Sequence, residues 1–351
     1  MITTKVPAKV STSGSKTGVS KTRGPRTARV AAVLSGVVVL LFFAKVLLGS
    51  FQVSFVDFWR ILGGETIPGA TFIVMEDRLP AAIIAILAGA AFGMSGTMFQ
   101  NLLRNPLASP DVIGIGYGAS AAAVAGMLWF GLQGWALAGA ALAGGLAIAL
   151  LIYFMANSGH QTGSRLILMG IAFAAMLQAI ISYLLTRADV RTVDDALRWM
   201  IGSLNSSTWD RALLLLVALV VLVPLAALAA GKLKILELGD DVAAGLGVNV
   251  SRVRLGIVVV AVCLSSVATA ITGPIAFVAF LAGPLARLMN RGASSLILSA
   301  LTGGALVLLA EFVASNAFGD TQLPVGVVTG ALGAPFLLWL LARSNQRGIG
   351  G

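Results

Sequence analysis

The 351-residue sequence has almost none of the side chains that form disulfides or bind soft metals, because it contains one cysteine and one histidine. Cys263 lies inside an apolar run, and a single thiol excludes an intramolecular disulfide and a thiolate cluster. His160 is the only imidazole, so a haem or zinc site would have too few ligands. We therefore expect no metal site and no bound cofactor.

Charged residues are also scarce, at 11% of the chain, whereas 58% of the residues are hydrophobic and the mean hydropathy is +0.95. These values lie outside the range of soluble globular domains. Runs of about 20 apolar residues can cross a bilayer as helices, and these runs lack the polar–apolar alternation of membrane strands. The sequence predicts an all-α polytopic membrane protein with about ten transmembrane helices. The runs cover 30–49, 79–99, 111–132, 135–156, 166–186, 212–231, 255–272, 274–289, 295–315 and 325–342, and the eighth is interrupted by Gly283 and Pro284.

The first 29 residues differ from the rest of the chain, since they carry seven lysines and arginines, no acidic residue and many Ser, Thr and Gly. Such a segment buries too little apolar surface to fold alone. We predict a disordered basic tail over 1–29, a membrane domain over 30–343 and a second short tail over 344–351. A basic arm could bind nucleic acid. Because this one adjoins an apolar span, membrane topology explains its charge better, and we expect no nucleic-acid partner.

The placement of lysine and arginine predicts the orientation. If the basic tail is cytoplasmic and ten spans alternate, the inner segments hold seventeen lysines and arginines and the outer segments hold six. Membrane proteins carry their excess of Lys and Arg in cytoplasmic segments. Both termini are therefore predicted to be cytoplasmic.

One cytoplasmic segment, "LGDDVAAGLGVNVSRVR" (238–254), is unusually charged for this chain. Asp240 can cap a short helix, Gly247 allows the chain to turn, and Asn249 or Ser251 can cap the next span. An ordinary solvated loop is the simplest interpretation. A helix–turn–helix on the membrane face instead suits a docking surface for a cytoplasmic partner, and we favour it.

ATP cannot be bound by a phosphate loop of this chain, because no G-x-x-x-x-G-K-[ST] pattern occurs. "GIGYGAS", which begins at Gly114, resembles a fragment of a nucleotide loop, but no strand precedes it. Close helix packing by small residues explains it better. Any use of ATP therefore requires a partner subunit.

Glu311 is the one acidic residue well inside a predicted span, and intramembrane carboxylates are costly and often functional. It could couple transport to protons, which would make the chain a secondary transporter. A structural, hydrogen-bonded carboxylate is the interpretation that we favour. Lys45 lies near the outer end of the first span, from which it can snorkel to the interface.

The longest outer segment, about 50–77, is too short for a receptor domain. Its "VDFWRIL" predicts an amphipathic helix at the membrane interface, with Phe58 and Trp59 as anchors.

Four long motifs carry a family resemblance. They resemble the permease subunits of type II ABC importers, which import ferric siderophores, haem and vitamin B12. The likeness runs from about residue 30 to 343, and "RWMIGSLNSSTWDR" (198–211) looks most like permeases for catecholate siderophores of the ferric-enterobactin type. The motifs are "RLPAAIIAILAGAAFGMSGTMFQNLLRNPLASPDVIGIGYGAS" (78–120), 238–254, "GPIAFVAF" (273–280) and "LPVGVVTGALGAPFLLWLL" (323–341).

The resemblance implies a transport subunit that is not itself an enzyme. It implies a multi-pass protein of the bacterial cytoplasmic membrane, whose partners are separate ATP-binding subunits, an extracytoplasmic siderophore-binding protein and a second permease. The substrate would be a ferric siderophore. In the family, the segment between spans six and seven forms coupling helices that rest on the ATP-binding subunit. The matching residues are Gly239, Asp240, Asp241, Ala244, Leu246 and Gly247.

On the outer side, the resemblance implies that Arg78 meets acidic residues of the binding protein. The second arginine of the family's "RLPR" motif is Ala81 here, and a further family arginine is replaced by Ser315. Fewer outer arginines favour a non-identical partner permease over an identical one.

The resemblance places an inner gate at Gly163 and Ser164. No role is carried over to Gly283 and Pro284, where the family commonly has Pro-His. Spans two and three are rich in glycine, which permits close helix packing. The route for a bulky chelate is therefore predicted to lie between two permease subunits and not within one.

Overall fold

The computed structural model describes residues 24–111, 114–156, 162–319 and 322–348, and within these ranges every regular element is helical. The helices are α1 Gly24–Leu47, α2 Phe55–Leu62, α3 Ala70–Phe72, α4 Leu79–Leu102, α5 Ile115–Phe130, α6 Gly134–Ala156, α7 Thr162–Thr186, α8 Val190–Ile201, α9 Trp209–Leu236, α10 Asp240–Gly245, α11 Val250–Thr272, α12 Val278–Met289, α13 Leu296–Asn316 and α14 Val325–Gly348; a π-helical turn, Ile73–Arg78, joins α3 to α4.

Seven helical segments in the described ranges are long and apolar enough to cross a membrane, and α5, α12 and residues 325–339 of α14 are shorter apolar helices. Each of the ten predicted runs overlaps one of these helices. The all-helical membrane fold is confirmed, while the number of crossings and the side on which the termini lie stay predictions.

The predicted tails overlap the terminal helices. Helix α1 begins at Gly24, so residues 24–29 are helical and only 1–23 of the predicted tail lie outside the described residues. At the other end, α14 continues to Gly348 through most of the predicted second tail.

Helix α4 forms the centre of the bundle and packs against α9, α11, α12 and α13. Its glycines permit backbone contact with its neighbours, because a Cβ at Gly96 would lie 1.7 Å from the carbonyl oxygen of Ala279 and one at Gly89 would lie 2.3 Å from that of Gly303. Small residues drive such close helix association where lipid removes the hydrophobic driving force. The predicted small-residue packing of span two is confirmed.

Helix α2 lies where the sequence predicts an interfacial helix, and Ser54 caps it by accepting a hydrogen bond from the Asp57 N–H at 3.0 Å. Trp59 is 54% exposed, as an interface anchor should be, but Phe58 is only 2% exposed. The Phe58 ring packs edge-on against Phe43 of α1, with centroids 5.8 Å apart. The prediction that Phe58 anchors α2 in the membrane interface is therefore wrong, because its ring packs against the bundle.

Helix α8 was not predicted. It follows α7 in a polar stretch that the sequence marked only as an outer connection, and an exposed Arg198–Asp194 pair at 2.8 Å links successive turns. The helix matters because residues of its last turns line a cavity of about 590 Å³.

Candidate functional site

The segment between α9 and α11 forms a helix–turn–helix, as predicted. Gly239 has φ +120° and Gly247 has φ +81°, both in the region that glycine adopts most readily, and they bracket the six-residue helix α10. Asn249 caps α11 by accepting a hydrogen bond from the Arg252 N–H at 3.0 Å. The N-cap of α10 is Gly239 and not Asp240, so the predicted capping role of Asp240 is wrong.

Asp240 instead pairs with an arginine of the next helix. The Arg254 guanidinium donates to both carboxylate oxygens of Asp240, at 3.0 and 2.8 Å. The Arg254 side chain is 16% exposed and that of Asp240 is 48% exposed. This two-point contact fixes the start of α10 against the first turns of α11. Asp241 is exposed and makes no hydrogen bond or ion pair with the described part of the chain.

Three apolar side chains on this segment are open to solvent. Leu238 and Leu246 are each 64% exposed and Val242 is 50% exposed, whereas Ala243 between them is fully buried. We call Leu238, Asp241, Val242 and Leu246 the coupling surface. Leu238 and Val242 were not singled out from the sequence. Only Val242 lies within α10, since Leu238 precedes the N-cap and Leu246 is the C-cap, so helical spacing could not have predicted their shared exposure.

The last residue of α9 and the first turn of α11 are hydrogen-bonded to other parts of the bundle. Arg104, which follows α4, donates to the carbonyl oxygen of Leu236 at the end of α9. Tyr153 of α6 donates to the carbonyl oxygen of Ser251 at 3.0 Å. A force on the coupling surface would therefore reach α4 and α6 through hydrogen bonds as well as through apolar packing.

At the opposite end of the bundle, Arg78 is buried. It is 6% exposed and its Nη1 donates to the carbonyl oxygen of Val46 at 3.1 Å. Gly49 makes room for it, since a Cβ there would lie 2.4 Å from the guanidinium. Arg78 forms no ion pair in the described ranges, and the exposed acids Glu76 and Asp77 precede it. Its proposed contact with a binding protein stays a prediction, and that contact would have to reach a guanidinium that this chain largely covers.

A cavity of about 590 Å³ lies at the same end as Arg78 and opens between α8, the start of α9 and the end of α11. Most of its polar lining comes from the 198–211 motif. Arg211 donates to the Ser206 carbonyl at 2.9 Å and to its hydroxyl at 2.6 Å. Asp195 and Asp210 also line the cavity, so its wall carries both signs of charge.

Glu311 is paired inside the bundle. Lys45 Nζ donates to Glu311 Oε1 at 2.7 Å and to the Ser315 hydroxyl at 2.8 Å. Lys45 is 7% exposed and Glu311 is 3% exposed. The expectation that Lys45 snorkels to the interface is therefore wrong. The Lys45 ammonium therefore bridges two side chains of α13, Glu311 and Ser315.

The two predicted gate residues, Gly163 and Ser164, lie in the first turn of α7. Their side chains fall outside the described part of the structure, as does the whole of His160. The six predicted coupling residues lie together on one segment, and Arg78 lies at the far end of the molecule.

Comparison with known proteins identifies the chain. A model of the FecCD transport family matches residues 37–343. The chain belongs to this family. It is 40% identical over 287 residues to the ferric enterobactin transport system permease protein FepG of Escherichia coli, covering 82% of this chain and 87% of FepG. It is 37% identical over 273 residues to the Fe(3+)-citrate import system permease protein YfmE of Bacillus subtilis, covering 77% of this chain and 82% of YfmE.

The fold agrees with this membership. An inward-facing metal-chelate type ABC transporter has a TM-score of 0.79 at 24% identity, over 90% of this chain and 99% of that chain. As a FecCD member, the chain is a multi-pass inner-membrane permease subunit, and ATP hydrolysis belongs to a separate subunit. Family membership and the Lys45–Glu311 pair together favour ATP-driven transport over proton coupling through Glu311.

Proposed function

We propose that this chain is a membrane permease subunit of an ATP-driven importer that moves a ferric siderophore, of the catecholate type, into the cytoplasm. The observation that supports this substrate assignment is the similarity to FepG over most of both chains. The 198–211 motif supports it, because this stretch lines the outer cavity with arginine, tryptophan and hydroxyl side chains. Such side chains offer ring stacking and hydrogen bonds to an anionic aromatic chelate.

The coupling surface supports the use of a separate ATPase. Three exposed apolar side chains on a charged, membrane-proximal segment are typical of a surface that another protein covers. We propose that Gly239, Asp240, Asp241, Ala244, Leu246 and Gly247 belong to this contact on the cytoplasmic side. Asp240 then acts by holding α10 in place through Arg254, while Asp241 and Leu246 contact the partner.

On the outer side, we propose that Arg78 receives a carboxylate of the extracytoplasmic binding protein. A buried guanidinium with one backbone acceptor has unused donors, and an incoming carboxylate would satisfy them. A side chain at Gly49 would displace the guanidinium from this position, so the glycine is part of the proposed site.

We further propose that the chelate passes between this chain and a second permease, preferably a non-identical one. The close backbone contacts of α4 with α12 and α13 leave no room for a wide chelate within one bundle. The inner gate would then be the start of α7 at Gly163 and Ser164. Ser164→Cys, in a Cys263→Ser background, should crosslink to the partner permease and give an ATP-dependent yield. Crosslinks within one chain alone would contradict this gate.

The substrate test is uptake by the reconstituted importer. Proteoliposomes that hold this chain, its partner permease and the ATPase, and receive the binding protein, should take up a ferric catecholate in preference to ferric citrate, a ferric hydroxamate, haem and cobalamin. The matched control omits ATP. Equal uptake of ferric citrate would contradict the catecholate assignment and leave the iron-chelate class in place.

A further inference from the structure

Two exposed cations, Lys232 and Arg252, lie near the coupling segment. Lys232 lies in the last turns of α9 and Arg252 in the first turn of α11, and both are exposed. Neither side chain makes a hydrogen bond or an ion pair in the described ranges, whereas Arg104 and Arg254 beside them do. The end of α9 lies beside the start of α11, so both charges lie at the same level of the bundle.

These cations stand at one end of an apolar groove of about 260 Å³ between α9 and α11. Lys232 and Arg252 are the only charged residues among its lining, and no acid contributes. From Lys232 to the far end of the groove at Leu225 is seven residues of helix, or roughly 10 Å along the axis. The rest of the lining is apolar: Leu225, Leu228, Ala229, Val253, Gly256, Ile257 and Val260.

The groove is open and is not filled by the chain itself. A Cβ built at Gly256 would meet no atom within 4 Å, so packing within this chain does not require glycine there. Leu228 is 70% exposed and other apolar residues of α9 are exposed along the same helix. Since α9 is an apolar candidate span, this open face is available to lipid.

The position of Arg252 favours an anion. A cation in the first turn of a helix is repelled by the positive end of the helix dipole unless an anion lies nearby. Because Asn249 already accepts the Arg252 N–H, the Arg252 guanidinium is the group that would bind this anion. Lys232, across the groove, adds a second charge.

We propose that this groove binds an anionic phospholipid, with its phosphate between Lys232 and Arg252 and one acyl chain along the apolar lining. A small anion would leave the apolar part uncovered, and a soluble protein would not enter a groove between two membrane helices. Because α9 and α11 flank α10 directly, the bound lipid stiffens the base of the coupling surface. This proposal is independent of which substrate the importer carries.

The test counts lipid retained by the purified chain. The chain is reconstituted in vesicles of equal parts phosphatidylcholine and phosphatidylglycerol, extracted in mild detergent and examined by native mass spectrometry. We expect Lys232→Gln/Arg252→Gln to retain phosphatidylglycerol on the order of tenfold less well. Gly256→Leu, which fills the groove without changing its charge, should also lose the lipid. The matched control, Lys234→Gln, removes an exposed cation two residues away on α9 and should retain it.

The same variants distinguish a bound phospholipid from the other possible ligands of the groove. Undiminished retention by Lys232→Gln/Arg252→Gln, or an equal loss in Lys234→Gln, would overturn the site. Retention by Gly256→Leu would overturn the placement of the acyl chain. Inorganic phosphate added to the chain in phosphatidylcholine vesicles should not raise the unfolding temperature as phosphatidylglycerol does, and an equal rise would assign a small-anion site. Loss of the copurifying ATPase with lipid retained would assign the cations to that partner.

Discussion

Two buried charges of opposite sign meet in the membrane domain, where Lys45 of α1 donates to Glu311 of α13 at 2.7 Å. Helix α1 is otherwise peripheral, so this pair and the Ser315 hydroxyl fix its register against α13. Removing one partner of a buried pair leaves an uncompensated charge and costs about 3–5 kcal/mol, whereas replacing both is often neutral.

We therefore expect Lys45→Met to destabilise the detergent-solubilised chain by a free energy of that order, and Lys45→Met/Glu311→Leu to recover most of it. Unfolding of the three proteins in parallel measures the difference. The result also separates the two interpretations of Glu311, because a structural carboxylate can be replaced together with its partner without loss of transport. Full stability of the double variant with no transport would restore proton coupling as a candidate.

A second residue-scale prediction concerns Asp111, in the connection between α4 and α5. Burial raises the pKa of its carboxyl from 3.8 to about 6, and its Oδ2 is enclosed without a hydrogen-bond partner among the described residues, although the residue as a whole is partly exposed. Because the folded pKa lies above the unfolded one, the folded state binds the proton more tightly. The stability that this proton contributes is complete below about pH 4 and is lost as the pH rises through 6.

We expect Asp111→Asn to remove this dependence and to stabilise the chain at pH 7 by about 1–2 kcal/mol, less than the full shift implies because the residue is partly exposed. Unfolding temperatures of the wild type and the variant between pH 4 and pH 8 provide the measurement. Parallel profiles for wild type and Asp111→Asn would show that Asp111 does not titrate in this range.

At the scale of elements, the contact of α4 with α12 and α13 depends on glycine. A Cβ at Gly96 would lie 1.7 Å from the Ala279 carbonyl oxygen, so Gly96→Ala must push two helices apart. Overpacking of this kind costs about 1–3 kcal/mol, and occasionally more. We expect a sharply reduced yield of folded protein, measured by size-exclusion chromatography in detergent.

Gly36→Ala in α1 is the matched control, since a Cβ there meets no atom within 4 Å. In a helix interior, that change should be neutral or stabilising by up to about 1 kcal/mol. Equal yields for the two variants would mean that the α4 contacts relax at no cost.

The elements also show what the sequence could and could not predict. Long apolar runs and glycine spacing predicted the ten main helices and the close packing of α4, because both follow from local pattern. Helix α8 was missed, since its polar sequence has no long apolar run. The Lys45–Glu311 pair was missed because its partners are 266 residues apart and each could be explained alone. Phe58 was misassigned because the sequence does not show which of the two adjacent rings, Phe58 or Trp59, faces the bundle.

At the scale of the whole molecule, the chain separates its two candidate surfaces. The outer cavity and Arg78 lie where α9 begins and α1 ends, and the coupling surface lies where α9 ends. Helix α9 spans the distance between them in 28 residues, or roughly 40 Å of helix. Helix α9 therefore links the outer cavity to the coupling surface, and Arg104 holds its far end in place through the carbonyl oxygen of Leu236.

The coupling surface gives the sharpest test of this arrangement. We expect Val242→Asp/Leu246→Asp to weaken binding of the ATP-binding subunit by about 10- to 100-fold, because two exposed apolar side chains would lose their burial in the partner. The fold should survive, since both residues are on the solvent side of α10 while Ala243 holds the buried side. Affinity is measured with the chain in nanodiscs, and ATP-driven uptake is measured in proteoliposomes.

The matched control is Val190→Asp, an apolar residue that is 87% exposed on α8 at the opposite end. Changing Asp240 would be a poorer test, because its pairing with Arg254 makes any loss of binding indistinguishable from a displaced α10. If Val242→Asp/Leu246→Asp binds the ATPase as tightly as Val190→Asp, the ATPase docks elsewhere, and the exposed leucines and valine of this segment must contact something other than the ATPase.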